Sequence, residues 1–265
     1  MNRNGFTLIE LMVTIVIVST LSAIAALGYA SIRKRAEMTT EINGAKQLMT
    51  AFHQYAADHN DRVLPGYQSD PEAVNLDGKP LHHPQDARYP WRLAPYAPKM
   101  NGIFVYNGNE RMLDEDNRDY LVSVHPNLGM NAVFVGGHYG SGSPLRPSPR
   151  LVEAVGKYYV SRLSEVHNGS SLVVFASARH DSGKVGNFEV RAPNILAPEW
   201  KSGAIDPDGP ASDTGFVDFR WKGKAVAAMV AGNVELLSPD ELRDMRRWSN
   251  QAARLNDPDF TVGRN

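Results

Sequence analysis

From residue 6 the chain is apolar with few interruptions, and across positions 11–32 there are 22 consecutive residues without a charge. A bilayer core about 30 Å thick is crossed by roughly 20 helical residues, so this run is long enough to span one. After Ile32 the pattern becomes periodic. Ile42, Ala45, Met49, Phe52 and Ala56 recur at spacings of three and four, flanked by Leu48 and Tyr55. That is the pattern of an amphipathic helix with one buried side. No proline falls between residues 6 and 58, so one long helix is expected there. Gly28 and Gly44 are its soft points, each about 1 kcal/mol worse than alanine.

The segment "DHNDRVLPG" should end this helix, because Asn60 and Asp61 are weak helix formers and Pro65-Gly66 forbids continuation. Residues 61–90 are polar and hold five prolines, which reads as an extended surface loop. In "RYPWRLAPYAP", Trp91, Leu93 and Tyr96 suit a short helix against a core edge. Short β candidates follow at 102–106, 120–124, 132–135, 171–177, 187–190, 216–221, 225–230 and 234–237, as expected for an antiparallel sheet. Residues 151–166 read as a helix with Val152, Val155, Tyr159 and Leu163 on one face, after the flexible stretch "YGSGSPLRPSPR". Ser238, Pro239 and Glu241 form an N-cap and capping box, which predicts a helix to about Ala253. The expected class is α+β: a long N-terminal helix packed on a mainly antiparallel sheet.

The chain has no cysteine, which excludes disulfides, thiolate metal sites and a cysteine nucleophile. A net charge of −1 gives no field directed at nucleic acid. Asp114, Glu115, Asp116, Asn117 and Asp119 lie close together, and oxygen-rich loops suit calcium. Asp114, Asp116 and Asp119 are therefore weak calcium candidates, with Asp206, Asp208 and Asp213 behind them. The first group lacks the glycine turn and final glutamate of a calcium-binding helix-loop-helix, so a solvated acidic turn is the simpler reading. His82 and His83 are adjacent, and His53 and His59 are six apart; no His-Glu-x-x-His occurs. "YGSGSP" comes nearest to a Gly-x-Ser-x-Gly elbow, but it lies in a flexible run and not at a strand-to-helix turn. No phosphate-binding loop is present. Neither an enzyme nor a resident cofactor is expected.

Glu10 remains to be explained. The apolar run fits a cleavable signal peptide, with Arg3 ahead and Ala23, Ala25, Ala26 and Ala30 near a cut. It also fits a plain anchor, or a segment that first spans a membrane and then packs against copies of itself. A carboxylate at the centre of a spanning helix costs about 2.5–3.5 kcal/mol, which neither a signal peptide nor a simple anchor has reason to bear. Glu10 either sits at the interface or gains a positive partner.

Gly5-Phe6-Thr7-Leu8-Ile9-Glu10, behind a short leader with Arg3, resembles the cleavage and methylation motif of type IV prepilins and type II secretion pseudopilins. The resemblance implies that prepilin peptidase cuts between Gly5 and Phe6 and that Phe6 is N-methylated. Residues 1–5 would then be the leader, 6–32 a transmembrane and filament-core helix, 33–58 its amphipathic half, and 59–265 a periplasmic or cell-surface head. An inner-membrane assembly platform would build it, with itself or other pilin-like subunits, into a pseudopilus or pilus. The new α-amine, with a pKa near 7.7–8.0, would pair with Glu10 of a neighbour. Such a buried pair adds little stability but penalises wrong registers, which makes Glu10 a register device.

Arg33, Lys34 and Arg35 after the apolar run point the other way. By the positive-inside rule they would keep the C-terminal side in the cytoplasm. Further along, "AVAAMVAGNVELLSPDEL" resembles the C-terminal hairpin of a pseudopilin subgroup common in planctomycetes, as "YPWRLAPY" and "LGMNAVFVG" do less specifically. The subgroup pattern is histidine, nine residues, then Asp-Gly. Aligned on Gly232, its polar positions are occupied by Trp221 and Ala231. A membrane-anchored or secreted binding domain that never polymerises is the alternative.

Overall fold

The computed structural model describes residues 7–206 and 208–264, leaving out the side chains of 24–28. Helix α1 (Leu8–Asp58) is continuous for 51 residues, as its proline-free pattern predicts. The chain divides into two units, Met1–Thr39 and Thr40–Asn265. In the second unit, Ala45, Leu48, Met49, Phe52 and Ala56 are fully or almost fully buried, which bears out the predicted stripe.

The head is built on a four-stranded antiparallel sheet in the order β1 (Leu128–Met130), β2 (Val173–Ser177), β3 (Ala225–Met229) and β4 (Val234–Leu237). Both β2 and β3 are buried along their whole length, so both faces of the sheet are covered. Successive side chains point to opposite faces. One face carries Phe175 and Ser177 and receives α1: Phe52 meets Phe175 edge-on at 6.0 Å, and His53 Nε2 donates to the Val230 carbonyl at 2.7 Å. The other face carries Ala225, Ala227 and Met229, packed with Trp200, Leu242, Met245 and Trp248. A shift of register between Val173 and Phe175 lets β2 serve both faces across the join.

Several expected elements take other forms. Residues 120–124 belong to helix α3 (Arg118–Val124), which begins as Tyr120 and Leu121 N–H donate to the Asn117 carbonyl. A short apolar run does not by itself distinguish strand from helix. Residues 102–106 form a turn on left-handed Gly102, and 132–135 form a turn closed by Val135 N–H to Asn131, so pairing falls upstream at β1. The 187–190 segment keeps one bridge, Glu189 to Met130, and 216–221 keeps one, Val217 to Ala178. Phe216 has φ +67°, which breaks the extended run. Helix α4 (Pro149–Val155) stops at Gly156, φ +78°, far short of 166. The expected C-terminal helix is split into α5 (Pro239–Leu242) and α6 (Asn250–Leu255). The Ser238–Glu241 capping box is present, but Asp244 and Ser249 each capture backbone N–H groups and restart the chain. Helix α2 (Tyr89–Leu93) forms as expected, with Trp91 buried.

Phe52 is fully buried between α1 and the sheet. Phe52→Ala is expected to cost about 3–5 kcal/mol, read as a lower denaturant midpoint with an unchanged slope.

Candidate functional site

Gly5 and Phe6, the expected processing pair, lie outside the described residues, as does Arg3. Glu10 is described. Thr7 donates both its backbone N–H and its hydroxyl to Glu10 Oε2 at 2.8 Å, and Glu10 N–H returns to Thr7 Oγ1 at 3.3 Å. This is a reciprocal capping box at the start of α1, placing a carboxylate where the helix dipole favours it. The Thr-x-x-Glu spacing was present in the sequence and is a local use for Glu10.

Around and beyond it Leu8, Ile9, Met12, Val16, Val18 and Leu21 are all more than half exposed. Two threonine hydroxyls here bond carbonyls of the helix itself: Thr14 donates to the Leu11 carbonyl at 2.8 Å, and Thr20 to Ile17 at 2.9 Å. Both threonine hydroxyls are thereby satisfied within the helix. Among the described residues no helix is long and apolar enough to cross a membrane. The side chains of 24–28, part of the uncharged run, are outside that description. Arg33 pairs with Glu37 at 2.9 Å.

In the head, the least expected group is Glu41. It occupies the buried face of α1 one turn ahead of Ala45 and is fully buried. Ser177 Oγ donates to Glu41 Oε1, and Trp221 Nε1 donates to the same oxygen at 3.0 Å. Arg220 Nε lies 3.7 Å from Glu41 Oε2 and 3.4 Å from Asp218, while its Nη2 donates to the Asn127 and Ala178 carbonyls. Burial works against the Arg220 charge, but Glu41 and then Asp218 overcome it and hold its pKa above the ordinary value. Trp221, read in the sequence only as a lost histidine, is thus a donor that locks α1 to the sheet. Ala231 lies in the β3–β4 turn, its N–H given to the Gly169 carbonyl at 2.8 Å. Glu41 had a readable signal, a carboxylate in register with an apolar stripe.

A second buried group joins Glu189, His138 and Arg191. Glu189 Oε2 lies 3.4 Å from His138 Nε2, and Oε1 accepts from Arg191 Nη2 at 2.8 Å. Burial acts to raise the Glu189 pKa, but the hydrogen bond from His138 and the Arg191 charge outweigh it, and the carboxyl is held low. The calcium candidates are differently engaged. Asp119 Oδ2 accepts from Asn75 at 2.7 Å and its Oδ1 lies 3.5 Å from Arg118 Nε, while Asp114 and Asp116 are exposed. Among the described residues, no three His, Asp or Glu side chains are grouped to hold a metal ion. His59 stacks on Tyr55 at 3.9 Å.

Residues 1–26 match the prokaryotic N-terminal methylation motif. Over that segment alone, 26 of 265 residues, the chain is similar to the type IV prepilin-like family. The motif marks structural, pilin-like substrates of prepilin peptidase that assemble with other pilin subunits. No curated protein and no solved structure matches the chain. The matched segment takes in Thr7 and Glu10, and the head with its two buried clusters lies beyond it.

Two outcomes test the clusters. Glu41→Ala leaves Arg220 buried with Asp218 as its remaining charge partner, and should cost about 3–5 kcal/mol; adding Arg220→Met should restore part of the loss, read from denaturant midpoints. Glu189 is a depressed carboxyl, so its contribution is complete above its unfolded pKa, near 4.5, and is lost as pH falls through the lower folded value. Glu189→Gln should therefore lower stability at neutral pH and flatten the acid limb of a stability–pH curve.

Proposed function

We propose that this protein is a subunit of a pseudopilus or type IV pilus-like filament. Prepilin peptidase cuts between Gly5 and Phe6 and methylates Phe6; the subunit then passes from the inner membrane into the filament, its head on the periplasmic or outer side. The observation that carries this reading is the methylation motif over residues 1–26. The exposed apolar side chains of residues 8–21 support it, since they are a surface for either lipid or neighbouring helices. In the membrane stage the uncharged run 11–32 spans the bilayer, and the head is carried outward despite Arg33, Lys34 and Arg35.

Glu10 serves two stages in this account. Its capping box with Thr7 satisfies the helix start in a lone subunit. In the filament its carboxylate meets the methylated amine of a neighbouring Phe6, and the two charges set the axial register.

The test is the intact mass and N-terminal peptide of protein isolated from membranes. A chain beginning at N-methylated Phe6 is the expected result. One beginning at Met1, or beyond Ala25, would overturn the proposal and leave an anchored or secreted domain that does not polymerise.

A further inference from the structure

We propose that the head binds neutral hexose units of a glycan in a cleft between residues 67–69, His83 and the 139–146 loop. The cleft has a volume of about 410 Å³ and is lined by Tyr67, Gln68, Ser69, His83, Tyr139 and Arg146, among others. That volume lies within the roughly 300–1,000 Å³ of small-molecule sites.

Its wall is preorganised. Tyr139 N–H donates to the Tyr67 carbonyl at 2.8 Å, and the Tyr67 ring stacks on His138 at 4.7 Å with 5° between planes. His138 is held in turn by Glu189 at 3.4 Å, while its Nδ1 accepts from Gly140 N–H at 3.2 Å. Gly140 fits because it lacks a side chain: a Cβ there would lie 2.8 Å from both His138 Cε1 and Tyr67 Cδ1. A wall fixed in advance lowers the ordering cost of binding.

Behind the lining, one polar atom lacks a partner. Asp86 is 7% exposed, and its Oδ1 has no hydrogen-bond donor among the described residues. That oxygen lies 3.9 Å from His83 Nδ1, and Ser69 Oγ lies 3.2 Å from the same nitrogen.

Charge and backbone pairing narrow the ligand. Arg146 is the one formal charge in the lining; Asp86 stands behind it, and Glu189 is matched by Arg191. The lining therefore has no strong field for a multivalent anion or a cation. An added peptide strand would need free backbone groups, but Tyr67 N–H is given to Gly137 and Gln68 N–H to Ala87. A pyranose ring meets the remaining requirements: hydroxyls that both donate and accept, for the Gln68, Ser69 and Ser141 side chains, and an apolar C–H face for the exposed His83 ring and Tyr139.

The experiment is calorimetric titration of the full chain, in a detergent without a sugar headgroup. The probes are oligomers of glucose, galactose and N-acetylglucosamine, with inorganic phosphate alongside. At least one saccharide should bind with Kd of about 0.1–1 mM, or about 4–5.5 kcal/mol. Gln68→Ala and Ser69→Ala, both at exposed positions, should weaken it about tenfold while leaving the unfolding midpoint in place. No saccharide binding, binding of phosphate alone, or saccharide binding indifferent to both substitutions would overturn the proposal. The outcome is independent of how the N-terminus is processed.

Discussion

The head depends on the burial of one face of α1 against the sheet. Ala45, Leu48, Met49, Phe52 and Ala56 remove from water the apolar surface that β2 and β3 would otherwise expose. At about 25 cal/mol per Å², such burial is the largest favourable contribution available to a chain with no disulfide. Glu41 adds direction. An apolar stripe alone tolerates sliding by a turn, whereas a carboxylate that must meet Ser177, Trp221 and Arg220 accepts one position. Leaving those groups unpaired is penalised far more than pairing them is rewarded. Gly44 works to the same end, since a Cβ there would lie 2.8 Å from the Gly102 carbonyl.

The same helix has a different task at its other end. Residues 8–21 show apolar side chains on all sides, with the Thr14 and Thr20 hydroxyls folded back on the helix backbone. A helix apolar all round has no single core to face and suits lipid or a bundle of like helices. The amphipathic stripe and the uniform run thus mark one segment that belongs to its own head and one that suits lipid or like helices. Glu10 sits at the start of the second segment, already closing its N-terminus with Thr7.

Legibility in the sequence followed the strength of local signals. Helix α1, β2, β3, β4 and the Ser238–Glu241 cap were readable because periodicity, alternation and capping residues agreed there. The 102–106, 120–124 and 132–135 segments were misread as strands because each is too short to show a period, and local N–H groups chose turns or a helix instead. The 151–166 helix failed on Gly156, whose left-handed backbone ends it. At the N-terminus the methylation motif was legible as a resemblance, through Gly5, Phe6 and Glu10. Glu41 could be placed on the apolar stripe, but neither its partners nor the Tyr67–His138–Glu189 group could be read, because those partners lie far along the chain: Ser177 is 136 residues from Glu41 and Trp221 is 180.

In the proposed filament, the apolar first part of α1 packs against copies of itself or other pilin-like subunits in a register set by Glu10. The native absence of cysteine makes a direct measurement possible: a single Val16→Cys substitution, oxidised in cells that carry the assembly machinery. The account predicts intermolecular disulfide adducts that disappear when Glu10→Ala is added. Protein that stays monomeric, or adducts that persist without the Glu10 carboxylate, would contradict it.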